Sequence, residues 1–357
     1  MLEARATVRR LKEYHPPLGG RAGLRLDFNE NTVGCSPRVL DGLRQLQFEQ
    51  LARYPERESV ERQVAAHLGV DLAGLLLTNG VDEAIHLICE TYLGLDDEVL
   101  ICVPTFSMYE IYAAATGAQV ITIPAGPEFN YPTDDVLARI SPRTRLVAIA
   151  NPNNPTGTVV PKSDLLRILR ATPDAAVLVD EAYFDFYGES LLAGVTSHPN
   201  LFVARTFSKA YGLAGLRIGV LVGNAAQMAM VRRVGSPYNV NAVALACLPE
   251  ALADQDYIRQ YVAEVRQGRE RLEQELRSLR LRFWTSQANF VLVKIGERHD
   301  AFVRAMRERG ILVRDRSRDP GCDGCVRISV GSNAQTERLI VTLREAVQVI
   351  AATGVPA

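Results

Sequence analysis

Between residues 59 and 240 the chain repeats one pattern: a short run of aliphatic and β-branched residues, then a longer stretch with helical spacing. The runs fall at 75–78, 99–103, 120–123, 146–149, 177–179, 201–204 and 218–222. A strand apolar at every position has no face for water, so both its faces must be covered. Such runs alternating with helices predict an α/β fold with a mostly parallel, seven-stranded sheet between helices. In such sheets ligands bind at the carboxyl ends of the strands. A chain of 357 residues exceeds one ordinary core, which predicts a large domain and a smaller one. We place an irregular arm at 1–45, broken by Pro16, Pro17, Gly19, Gly20, Gly34 and Pro37, the large domain at 46–245, and a small α/β domain at 246–357. The small domain opens on what reads as one long charged helix, 249–281. Strands at 289–293, 311–313 and 326–330, a helix near 299–309 and a final helix follow.

Charge and cysteine usage exclude several classes of function. A formal net charge of −1 gives no reason to expect nucleic acid as a partner. No apolar run approaches the roughly 20 residues that span a bilayer, and residues 1–17 lack the apolar core of a secretory signal, so a cytoplasmic location is expected. Of six cysteines, Cys322 and Cys325 form a CxxC pair, but no second ligand pair exists for zinc. No metal is expected, and the pair reads as a surface turn with two reduced thiols.

Four segments carry chemistry. The first is Thr206-Phe-Ser208-Lys209, with Arg217 eight residues on, between a buried-looking strand and a glycine-rich stretch. A lone lysine is usually a solvated surface group. At a strand end beside Ser208 and Arg217, it supplies an amine nucleophile together with groups that hold a phosphate. The second is Val179-Asp180-Glu-Ala-Tyr183. A strand-end aspartate is more often a helix cap or a metal ligand, yet a carboxylate there can also keep a pyridine nitrogen protonated. The third, Asn151-Pro-Asn-Asn154-Pro-Thr-Gly157, is a tight turn that also fixes amide groups at a strand end. The fourth, Asn79-Gly80-Val81-Asp82, reads as a helix start whose backbone N–H groups suit an anion. By itself it is a weak signal.

Taken together and in this order, the four segments resemble the fold-type I aminotransferases that use pyridoxal 5′-phosphate (PLP), and more narrowly their histidinol-phosphate branch. The resemblance covers nearly the whole chain. It includes Asn29-Glu-Asn31, Arg53-Tyr54-Pro55, Pro104-Thr-Phe106-Ser-Met-Tyr109, Pro237-Tyr-Asn239 and Val326-Arg327-Ile-Ser. It implies that Lys209 holds the cofactor aldehyde covalently and then shuttles protons. Asp180 faces the pyridine nitrogen, Tyr183 and Asn154 bond the ring hydroxyl, and Phe106 stacks on the ring. Val81, Asp82, Ser208 and Arg217 meet the phosphate. Tyr54 reaches that phosphate from a second subunit, which makes the active site the property of a homodimer, with the arm packing on the small domain or the partner. Arg327, helped by Arg314, binds the substrate anion, with Tyr14 and Asn31 as further substrate contacts. Two departures stand out. The arm reads Glu13-Tyr14-His-Pro16 where the family has Pro-Tyr-x-Pro, and Asn-Glu-Asn is followed by Thr-Val-Gly-Cys rather than Pro-x-Gly-Pro.

The activity implied is transamination between L-histidinol phosphate and 2-oxoglutarate, a step of histidine biosynthesis. An aromatic-amino-acid transaminase is the alternative on the same framework, and a threonine-phosphate decarboxylase a more distant one. A PLP-binding DNA regulator would need an N-terminal helix-turn-helix domain, and the stretch before Tyr54 is too short for it.

Overall fold

The structure, a computed structural model, describes residues 2–15, 19–20 and 22–352. Pro16 and Pro17, read above as breakers, lie outside the described residues. Strands begin within the arm, at Leu24–Arg25 (β1). The seven apolar runs become Leu75–Thr78 (β2), Glu98–Val103 (β3), Gln119–Pro124 (β4), Thr144–Ala150 (β5), Ala176–Asp180 (β6), Leu201–Thr206 (β7) and Gly219–Gly223 (β8). They form one sheet in the order β2-β8-β7-β6-β5-β3-β4. Only β8 runs against its neighbours. A parallel return needs a crossover element. The segment from Thr206 to Gly219 contains only the short 3-10 turn Ala214–Leu216, so the chain comes back antiparallel.

The sheet separates two apolar cores, and the two-residue period of a strand assigns side chains to them. Along β6, Val177 and Val179 enter one core, and Ala176 and Leu178 the other. Each fully buried aliphatic contributes roughly 1.5–3 kcal/mol. The same alternation puts Asp180, the last residue of β6, on the side of Leu178, where Tyr109 also packs.

Beyond the seven-stranded sheet, Arg282–Trp284 (β9), Phe290–Lys294 (β10), Ile311–Leu312 (β11), Arg314–Asp315 (β12) and Cys325–Ser329 (β13) follow one another. β12-β13-β10-β9 is an antiparallel sheet, and β1 pairs in parallel with β11. The N-terminal stretch is therefore joined by backbone pairing to the C-terminal part of the chain.

Three sequence expectations change here. The stretch 1–45 is not irregular throughout. Ser36 accepts a hydrogen bond from the Arg38 N–H at 3.2 Å and caps helix Pro37–Gln45, which packs on helix Ala242–Ala253. Proline just inside a helix start is preorganised for it, so Pro37 begins this helix and does not break it. The single helix at 249–281 is two, Ala242–Ala253 and Gln255–Ser278. Between them the Asp254 carboxylate accepts from the Tyr257 N–H at 3.3 Å and caps the second. Finally, Cys322 and Cys325 are not surface thiols. Both are buried, and they pack with Phe129, Trp284 and Leu292 because the turn folds its side chains under itself. Both are free thiols. The hydrogen bond between the two thiols, with burial, pushes Cys322 up, while the same hydrogen bond holds Cys325 below its ordinary value.

Candidate active site

The carboxyl ends of β5, β6 and β7, the start of helix Gly80–Tyr92 and the strands β12 and β13 border one cavity of about 340 Å³. Lys209 follows β7 and reaches into it, and its Nζ donates to the Phe28 carbonyl at 3.1 Å. The amine lies 5.8 Å from the centre of the Tyr183 ring. Tyr183 itself is buried, and its hydroxyl accepts from Asn29 Nδ2 at 2.9 Å.

Asp180 lines the same cavity. Its carboxylate accepts from the Tyr109 hydroxyl at 2.6 Å and from the Ala182 N–H at 2.9 Å. Burial pushes its pKa up to about 6, against the pull of those two hydrogen bonds. Tyr109 is pushed well above its ordinary value by burial and by the facing carboxylate, so it serves as a donor. Phe106 meets Tyr109 edge-on at 5.8 Å and faces the cavity.

Val81 and Asp82, at the opening of helix Gly80–Tyr92, line the same cavity, as do Ser208 and Arg217. Arg217 Nη2 donates to Asp82 at 2.9 Å. Gly80 stands at φ +76°, and a Cβ there would come within 2.7 Å of the Arg217 guanidinium. Arg217 itself holds φ +53°, a conformation that costs a non-glycine residue energy and clusters at functional sites.

The substrate-side candidates converge as well. Arg314 and Arg327 are register partners across β12 and β13, and like charges so opposed repel unless an anion lies between them. Arg327 donates to the Asp27 carbonyl at 2.7 Å and to Asn154 Oδ1, which ties the third segment of the sequence reading to the arginine. Burial, with Arg316 and Arg314 close by, lowers the Arg327 pKa to about 10. Arg314 donates to the Tyr14 hydroxyl at 3.4 Å, and Tyr14 lines the cavity.

Two expected residues lie elsewhere. Asn31 does not line the cavity. Its Oδ1 accepts from the N–H groups of Val33 and Gly34 and its Nδ2 donates to the Ala210 carbonyl, so its amide is spent on a turn. Asn29, from the same Asn-Glu-Asn stretch, is the one that faces Tyr183. Tyr54 is 77% exposed and stacks on Tyr238 at 4.3 Å, away from this cavity. Sequence reasoning missed Tyr109 as the partner of Asp180, and Arg316, which also lines the cavity. The period of two from Arg314 could have found the latter. No helix among the described residues is long and apolar enough to cross a membrane.

Comparison with known proteins agrees with this geometry. The family model for aminotransferase class I and II matches residues 21–343. A histidinol-phosphate aminotransferase of Thermoanaerobacter sp. (strain X514) is 34% identical over 326 residues, covering 90% of this chain and 92% of the relative. Histidinol-phosphate aminotransferase 1 of Bacillus anthracis is 35% identical over 357 residues, covering 97% and 95%. Among solved structures, the histidinol-phosphate aminotransferase of Sinorhizobium meliloti in complex with pyridoxal-5′-phosphate superimposes with a TM-score of 0.89 at 25% identity, covering 98% of this chain and 99% of that one. By fold, by cavity and by these matches, the chain belongs to the class I and II aminotransferases.

Proposed function

We propose that the protein is a PLP-dependent histidinol-phosphate aminotransferase, exchanging an amino group between L-histidinol phosphate and 2-oxoglutarate. One observation carries this reading: a lysine amine, a buried carboxylate and a directly opposed arginine pair border one cavity. The donor set fits the cofactor. Lys209 offers the amine for its aldehyde, and Asp180 a buried acceptor for a protonated ring nitrogen. The helix start at Val81 and Asp82, with Ser208 and Arg217, offers donors for its phosphate. The space above Gly80 that a Cβ would take is filled by the Arg217 guanidinium.

When bound, PLP supplies an electrophilic carbon for the substrate amine and an electron sink for the carbanion formed at Cα. The chain's own residues do the rest. Lys209 Nζ would hold and move the proton taken from the substrate Cα. Asp180, oriented by Tyr109, would keep a bound ring nitrogen protonated. Tyr183 and Asn154 would hold the ring hydroxyl, with Asn29 donating to the Tyr183 hydroxyl. Phe106 would pack against the ring. Arg327 and Arg314 grip the anionic end of either substrate, since a guanidinium fork fits a carboxylate or a phosphate.

We also assign the active form to a homodimer in which Tyr54 serves the neighbouring cavity. Tyr54 is exposed and stacks on the exposed Tyr238, and Phe48 and Leu51, a few residues earlier in the chain, are exposed as well, the kind of apolar surface a partner covers. The test is product analysis with the PLP-loaded protein, L-histidinol phosphate and 2-oxoglutarate. Equimolar glutamate and keto product support the assignment. Turnover of phenylalanine or tyrosine but not histidinol phosphate would move the substrate to aromatic amino acids. Carbon dioxide release from threonine phosphate without a keto product would mark a decarboxylase.

A further inference from the structure

Arg316 has no role in the account above, yet it lines the cavity with Arg314 and Arg327. It lies two residues beyond Arg314, so the strand period turns it to the same side. Its N–H donates to the Cys325 carbonyl at 2.9 Å, which extends the β12–β13 ladder by one step and fixes its backbone opposite Cys325, two residues along β13 from Arg327. Its side chain is only 14% exposed. Three buried guanidinium nitrogens here, Arg314 Nη1, Arg316 Nε and Arg327 Nε, have no hydrogen-bond partner among the described residues. Buried charged donors left unpaired are costly, so three of them at one wall mark a place built for acceptor oxygens.

Asp319 supplies the nearby counter-charge and ion-pairs with Arg316. The turn carrying it is tied by backbone bonds. The Asp319 N–H reaches the Arg316 carbonyl at 3.0 Å, Cys322 reaches Asp319 at 2.9 Å, and Cys325 reaches Cys322 at 2.8 Å. The buried Cys322 and Cys325 seat this turn in the small domain. Arg316 is thus held at the rim of the anion site by a rigid turn and a fixed carboxylate.

Building on the proposed histidinol-phosphate activity, we infer that Arg316 is a specificity-determining residue that favours a phosphomonoester over a carboxylate, with Asp319 as its positioning residue. A carboxylate has two oxygens and one charge, which the Arg314–Arg327 pair can satisfy. A phosphomonoester has three terminal oxygens and nearly two charges at neutral pH, and the third guanidinium answers the remainder.

The experiment compares the PLP-loaded wild type with Arg316→Gln, and with the double variant Arg316→Gln/Asp319→Asn, which leaves no buried carboxylate unpaired. Both variants should raise KM for L-histidinol phosphate about 10- to 100-fold, the loss of one hydrogen bond to a charged group. KM for L-glutamate should stay within about 3-fold, a shift below that bond's worth. Arg316→Lys should recover part of the loss, because it restores charge without the fork. A second readout needs no turnover: calorimetric titration with inorganic phosphate should show weaker binding to the double variant, while titration with maleate, a dicarboxylate, should not. Equal losses for both substrates, or unchanged phosphate binding in the double variant, overturn the inference. A wild type inert towards histidinol phosphate instead overturns the functional reading on which it rests.

Discussion

Lys209 and Asp180 make the sharpest residue-scale predictions. Lys209→Ala removes the only amine lining the cavity among the described residues and should cut turnover at least ~10³-fold, within the range for losing a general acid–base group. Single-turnover kinetics with the cofactor-loaded variant checks this. Asp180 has a folded pKa near 6 against an ordinary 3.8, raised by burial. The protonated form therefore favours the folded state. The stability it contributes is present below about 4 and lost as pH rises through about 6. Without cofactor, Asp180→Asn, neutral at every pH, should gain in melting temperature over the wild type across that window, and scanning calorimetry at pH values on either side of it reads the gap. A gap constant with pH would mean that Asp180 titrates alike in the folded and unfolded states, and would contradict the shift. The positions of these two groups were legible in the sequence because Asp180 ends an apolar strand and Lys209 follows one by three residues. Their supports were not. Asn29 and Asn31 have the same chemistry two residues apart, and only the turn that consumes the Asn31 amide separates them.

At the scale of elements, two small features decide how the site is built. Gly80 opens the helix whose start faces Arg217. Alanine there meets both a positive φ, a strain of about 1–3 kcal/mol, and the guanidinium at 2.7 Å. Gly80→Ala should weaken PLP binding about tenfold or more, roughly 1.4 kcal/mol, as read by cofactor titration. Asp254→Ala removes the cap of helix Gln255–Ser278 and should cost about 1 kcal/mol in urea unfolding. That cap explains why one helix was read where two exist: charged residues run through the junction, and hydrophobic period alone does not mark an aspartate whose carboxylate caps the N–H three residues on. The seven strands were legible for the opposite reason. The inner strands β5 to β8 are apolar at nearly every position because both faces are covered, which is a strong local signal. The two-residue strands β1 and β12 carry no such pattern and exist through pairing with distant chain, whereas the apolar run at 311–313 did mark β11.

For the whole molecule, the fold brings Arg327, far along the chain, to Asn154 and to the backbone of Asp27. No periodicity encodes that long-range contact between β13 and the first half of the chain. The sequence carried it only through its resemblance to the family. The proposed dimer is testable at this scale. Mixing Lys209→Ala with Tyr54→Ala subunits, each nearly inactive, should restore about a quarter of the wild-type activity, since half the dimers are mixed and each has one intact site. No recovery on mixing would confine Tyr54 to its own subunit.

The central claim is a PLP-dependent exchange of amino groups that accepts both glutamate and a phosphorylated amine. The visible absorption spectrum of the PLP-loaded protein, recorded while L-glutamate and then separately L-histidinol phosphate is added, tests it most directly. The account predicts a lysine-bound cofactor band that both compounds convert to the aminated-cofactor form. A protein that shows no cofactor band after PLP is added, or whose band neither compound changes, would contradict it.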